Sequence, residues 1–226
     1  MPTDTSMGKT HFFDDFLADT INLDFYTLNS DTGGTNFATS AQRNGAVRGS
    51  VDTTDNDITN LFAALNYRAD SGGPTTMEVR MVTRTSVADG ETYVGWTDDS
   101  AADEMPLTLG TTDVVTSTAT DLAGFAYTGA GTASWKCVAT RNDVDATVVT
   151  ANVGGATTPV VGTYQTFKVV LNEDGDAYYY LNGIFQTRIA SAIRATVDLT
   201  VCVGLQSGGT ARDVDIDYID IWTGRI

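Results

Sequence analysis

Few side chains in this sequence are equipped for chemistry. There is one histidine, His11, and there are two cysteines, Cys137 and Cys202; among 29 acidic residues just four are glutamates, Glu78, Glu91, Glu104 and Glu173. So many carboxylates raise glycoside hydrolysis first, which needs two of them held about 5–5.5 Å apart when configuration is retained. The four glutamates lie far apart in the chain. The nearest imitation of a pair, Glu173-Asp174-Gly175-Asp176, has the composition of a tight turn, and turn formation accounts for it. A serine or cysteine nucleophile would have only His11 as its base, and no His/Cys spacing fits zinc. His11 reads as an ordinary strand-end residue. The Gly-Gly pairs at 33–34, 72–73, 154–155 and 208–209 punctuate loops rather than opening a phosphate-binding helix. The expectation is a protein that is not an enzyme, with no catalytic residue and no cofactor.

Two binding chemistries stay open. Clustered carboxylates suit calcium, and Asp14 and Asp15 near the start would approach Asp215 or Asp217 near the end if those strands pair. Against that, aspartate is so abundant that chance clusters are expected, and the D-x-[DN]-x-[DN]-G loop is missing; a solvated acidic face is the favoured reading. Carbohydrate would need an exposed aromatic platform. Tyr178 and Tyr180 share a strand face, and Trp96 and Trp135 stand near loops. Large aromatics usually fill a β core, and Trp135 is read that way, with Tyr178 and Tyr180 left open.

The segment that must position these groups is Thr163 to Ile189, which reads as a three-stranded meander. Phe167, Val169 and Leu171 alternate with Lys168, Val170 and Asn172, the period of a strand with one buried face. Those three residues are expected in the core. Asp174-Gly175 and Asn182-Gly183 carry the signature of two-residue hairpins with positive backbone dihedrals. Further strands are expected at 11–16, 41–51, 58–65, 75–85, 93–96, 122–127, 135–140, 145–152, 197–205 and 213–222. Residues 97–120, polar and irregular, read as a long exposed loop. In the closing run, Val214, Ile216 and Tyr218 share one face until Ile219 breaks the pattern, which calls for a bulge near Asp217 or a covered aspartate face. About a dozen strands at regular spacing predict one all-β sandwich over 11–226, preceded by an N-terminal arm, 1–10.

Thirteen Lys and Arg against 29 Asp and Glu leave a net charge of −16, with Lys9, Lys136 and Lys168 the only lysines. Such a surface repels phosphate backbones and anionic headgroups, so neither nucleic acid nor membrane is an expected partner. The first ten residues lack an apolar signal-peptide core, and no apolar run is long enough for a membrane helix. Cys137 and Cys202 lie in apolar strands and read as core thiols, with pairing left open.

FFDDF (Phe12–Phe16), YLNG (Tyr180–Gly183) and VDIDYIDIW (Val214–Trp222) together resemble the concanavalin-like jelly-roll superfamily, which includes laminin-G-like modules, legume lectins and laminarinase-type β-glucanases. The resemblance implies a two-sheet antiparallel jelly-roll sandwich whose first and last strands are neighbours. The laminarinase-type enzymes carry E-x-D-x-x-E on one strand, and this sequence has no such run. More narrowly, DDFLADT (14–20), NGAVRGSVDTTDND (44–57), ALNYRADSGG (64–73), DEMPLTL (103–109) and VDIDYI (214–219) are similar to tailed-bacteriophage virion proteins. That likeness implies a capsid decoration or cement protein on the outside of a phage head. Its partner would be the major capsid protein, its state a homotrimer, and its place the virion after synthesis in the host cytoplasm. The alternative is a carbohydrate-binding module of a phage tail or fibre, with a host glycan as ligand.

Overall fold

The computed structural model describes residues 9–31, 35–40, 45–63, 66–100, 104–131, 134–154 and 157–224, the side chains of Thr35 and Asn36 excepted. All regular structure there is strand. In chain order the strands are β1 (Lys9–Asp14), β2 (Tyr26–Ser30), β3 (Thr35–Thr39), β4 (Val47–Val51), β5 (Asp55–Ala63) and β6 (Thr75–Thr83). Then come β7 (Gly90–Thr97), β8 (Leu107–Leu109), β9 (Val115–Ser117), β10 (Asp121–Thr128), β11 (Lys136–Arg141) and β12 (Val144–Asp145). The last six are β13 (Val149–Thr150), β14 (Tyr164–Leu171), β15 (Ala177–Leu181), β16 (Ile184–Ile189), β17 (Thr200–Gly208) and β18 (Arg212–Gly224). One sheet runs β16-β15-β14-β6-β18-β4-β3 with β1 also paired to β18; the other runs β12-β11-β10-β7-β17-β5-β2 with β13 paired to β11. The first and last strands are neighbours, as expected: Lys9 faces Gly224 and Asp14 faces Ile219.

The core between the sheets follows the period-two pattern. Phe167, Val169 and Leu171 of β14 are fully buried, beside Met77, Val79 and Met81 of β6. Of the two readings of the closing strand, the bulge is the one present. Pairing with β6 shifts between Ile216 and Tyr218, so Asp217 is the extra residue. Val214 and Ile216 before it, and Ile219 and Ile221 after it, therefore all point inward.

The two turns of the meander differ from each other. At Asn182-Gly183 both residues take positive φ, 53° and 76°, and Leu181 pairs directly with Ile184, which is the two-residue hairpin anticipated. At Asp174-Gly175 only Gly175 is left-handed (φ 82°), and Leu171 pairs with Ala177 across residues 172–176. The wider turn is closed by the Gly175 N–H donating to the Asn172 carbonyl at 3.0 Å.

Two further expectations need correction, and one open question closes. The strand placed at 11–16 begins at Lys9, so two residues of the expected arm belong to the sheet; residues 1–8 lie outside the described residues, as do 41–44 of the strand placed at 41–51. The two thiols cannot pair. Cys137 packs between the sheets, whereas Cys202 points out from the opposite face of the second sheet, with β10 and β7 between their strands. Three strand spacings, roughly 14 Å at about 4.8 Å each, exceed what a disulfide spans.

The second correction concerns residues 97–120. Instead of an exposed loop, β8 and β9 form a hairpin there whose Met105, Leu107, Leu109 and Val115 are buried. They press onto the outward face of the second sheet, against residues such as Ile58, Phe62, Tyr93, Leu122 and Val138. A second apolar core results, and the second sheet is covered on both sides. Beneath the cover, Gly95 and Gly124 oppose each other so closely that a Cβ on Gly95 would lie 2.4 Å from the Gly124 Cα.

Candidate functional site

The outward face of the second sheet is filled by the chain's own hairpin. The carboxylate closest to serving chemistry there is Glu91, at the start of β7. It borders an open hollow of about 260 Å³ together with Asp55 and Asp89. Burial pushes its carboxyl up to about 7, with the Leu109 N–H and the Arg212 charge acting the other way. A carboxyl perturbed to neutrality beside an opening is one mark of an acid/base catalyst. Here it has a structural task, because one oxygen accepts the Leu109 N–H at 2.8 Å and so latches the cover hairpin to the sheet.

A pH dependence follows. Raised above its ordinary value of 4.5, Glu91 contributes stability that is complete below about 4.5 and is lost as pH rises through about 7. The difference in melting temperature between the wild type and Glu91→Gln should therefore shift over that window and level off above it. A difference that stays constant from pH 4.5 to 8 would show that Glu91 is not held in this way.

The calcium candidates do not converge. Asp215, fully buried, is taken by two guanidinium groups: Arg48 donates from Nε at 2.6 Å and Nη2 at 3.0 Å, and Arg84 from Nε at 2.6 Å. Asp217 pairs with Arg80, and Asp14 accepts the Phe16 N–H at 2.8 Å. Asp15 adjoins Asp14 but follows the end of β1. Among the described residues no three His, Cys, Asp or Glu side chains gather as a metal would require. The Glu173-Asp176 run is a turn, as expected, with Asp176 accepting from the Ser191 N–H at 2.8 Å and Arg188 at 2.6 Å.

The aromatic candidates divide by face. Trp96 and Trp135 are both buried in the core, which removes them as a platform. On β15 the fully buried ring is Tyr179, so Tyr178 and Tyr180 lie on the outward face of the first sheet. There they have company that sequence reasoning passed over, above all Trp222. Register places His11, Trp222, Thr76, Val170, Tyr178 and Arg188 side by side in one row across six strands. His11 stacks on Trp222 at 5.3 Å with the rings within 4° of parallel. Lys168 stands over the Trp222 ring at 5.5 Å, and the Arg188 guanidinium over Tyr178 at 5.8 Å.

That row contains no carboxylate, although acids outnumber bases more than two to one in the chain. The nearest acids already have partners. Asp220 meets His11 Nε2 at 2.7 Å, and Glu78 accepts the Tyr218 hydroxyl at 2.8 Å and lies 3.7 Å from Lys168. Beside Trp222, a shallow hollow of about 370 Å³ is bordered by Lys9, Pro74, Thr76, Lys168 and Val170. The face is therefore a sheet surface with partly exposed rings and basic side chains, and among the described residues no further layer covers it. Alternation on β18 held the clue to Trp222, since two inward isoleucines bracket the outward Asp220 and Trp222 follows on the same side.

No protein-family model matches this sequence, and no curated protein matches it. Solved structures do match in fold. A Bacillus licheniformis beta-glucanase superposes with a TM-score of 0.64 at 15% identity, covering 93% of this chain and 97% of that one. A glycoside hydrolase family 16 endo-glucanase from Bacteroides ovatus gives 0.65 at 11% identity over 93% and 99% of the two chains. The lectin UEA-II, complexed with galactose, gives 0.61 at 9% identity over 96% and 99%. The fold is the concanavalin-like jelly roll, a two-sheet antiparallel sandwich shared by enzymes and lectins.

Proposed function

We propose that this chain is a non-catalytic carbohydrate-binding module that holds its ligand on the outward face of the first sheet, around Trp222. The observation that carries the reading is the row of aromatic rings and basic side chains that itself contains no carboxylate, its bases paired with Asp220, Glu78 and Asp176 alongside. Rings of this kind stack on the apolar faces of sugars, and neighbouring donors meet hydroxyl groups. The fold neighbours named as glucanases and lectins add support for a glycan as ligand. The capsid-decoration reading, with a capsid protein as partner, a trimer and a virion location, rests on likeness of short runs alone. Its alternative, glycan binding, is the one that gains from the fold.

One specific observation favours a second reading. Glu91, with its neutral-range carboxyl, borders a hollow with two aspartates, and hydrolysis would be sought there. The test of both is a panel of immobilised glucans, galactans and mixed glycans offered to the purified protein and to Trp222→Ala. Binding should be detectable and should fall about tenfold or more in the variant, a loss of roughly 1.4 kcal/mol. Binding that ignores the substitution would overturn the placement of the site. Release of reducing ends, abolished in Glu91→Gln, would replace the binding reading with the hydrolytic one.

A further inference from the structure

In the cross-strand row, Thr76 and Val170 separate Trp222 from Tyr178. Three interstrand steps lie between the two rings, roughly 14 Å at about 4.8 Å per step. The side chains between them are short, so the surface from ring to ring is low and level. A cation lies by each ring, Lys168 by Trp222 at 5.5 Å and Arg188 by Tyr178 at 5.8 Å, and each is also paired with an acid, Glu78 at 3.7 Å and Asp176 at 2.6 Å. The same pairing of ring and donor thus occurs twice along one line, on strands fixed by the sheet.

We propose that this row binds an extended polysaccharide chain laid across the strands, with one segment on Trp222 and another on Tyr178. The inference rests on the glycan-binding reading above and gives the ligand its shape. A terminal sugar is held by a concavity that encloses most of its surface. This face offers two stacking points too far apart for one sugar ring to touch both. Several consecutive rings satisfy it, and among the described residues no wall of side chains closes the row at either end. The ligand class is therefore a linear, ribbon-like glycan recognised along its length.

Calorimetry with β-linked gluco-oligosaccharides from glucose to the hexasaccharide, and with galactose, tests this. Affinity should climb with length, by about tenfold or more between disaccharide and hexasaccharide, as a second contact becomes intramolecular. Tyr178→Ala should abolish the gain with length and bring the hexasaccharide down to the disaccharide level. Tyr178→Phe, which keeps the ring, should retain the gain and serves as the control for folding. A disaccharide or galactose that binds within about twofold of the hexasaccharide, with Trp222 still required, overturns the extended-chain inference alone. A length gain that survives Tyr178→Ala does the same. Failure of every sugar to bind overturns the glycan reading and this inference together.

Discussion

Truncating Phe167 to alanine is expected to cost about 3–5 kcal/mol of folding stability, the range for removing a large aromatic side chain from a packed core. Its ring is fully buried where the sheets meet. It packs edge-on against Trp135 at 4.6 Å and Phe125 at 5.5 Å, joining β14 of the first sheet to β10 and the start of β11 in the second. Rings locked in this way leave little room for the site to collapse, so both the lost burial and the cavity count against the variant. Phe167→Leu should recover much of the loss. Urea denaturation measures both, and a midpoint for Phe167→Ala equal to that of the wild type would mean that the ring is not part of the core.

The second large effect is expected at Asp215. Removing one partner of a buried ion pair commonly costs about 3–5 kcal/mol, because the remaining charge is left without compensation. Asp215→Ala would strand two guanidiniums at once, those of Arg48 and Arg84. Both are partly open to water, 37% and 25% exposed, which places the cost towards the lower end of that range. Arg48→Ala and Arg84→Ala should each cost less than Asp215→Ala, since the carboxylate keeps one partner in either. Chemical denaturation of the three variants tests the ranking. An Asp215→Ala protein within about 1 kcal/mol of wild type would show that the carboxylate does not hold β18 to β4 and the end of β6.

Asp215 also shows where sequence reading ran out. Alternation placed it correctly on the outward face of β18, and the break at Ile219 left a bulge or a covered face open, of which the bulge is the one present. Neither pattern tells which arginines sit across the sheet, because Arg48 and Arg84 are remote in sequence and become neighbours only through register. Asn182-Gly183 was legible for the opposite reason, as a turn decided by two adjacent residues. The cover hairpin was missed because residues 97–120 are polar on average, and the alternation of Met105, Leu107 and Leu109 is short and starts across Pro106. Its counterpart was visible in β10, where all eight residues are buried. An apolar run without alternation means a strand covered on both faces, and such a strand requires a layer on each side. Trp222 went unnoticed as a site residue because a tryptophan in a terminal strand reads as core until its partners across the sheet are known.

The pairing of Lys9 with Gly224 has a practical consequence. The two ends of the described body emerge side by side at one place on the first sheet. A body of this kind can be spliced into a surface loop of a carrier protein without stretching either partner. It is also suited to circular permutation, with a short bridge joining the ends and a new opening cut at Asn142-Asp143, an exposed turn in which both residues take positive φ. Such a permutant would keep the Trp222 face whole, because the cut lies at the edge of the other sheet.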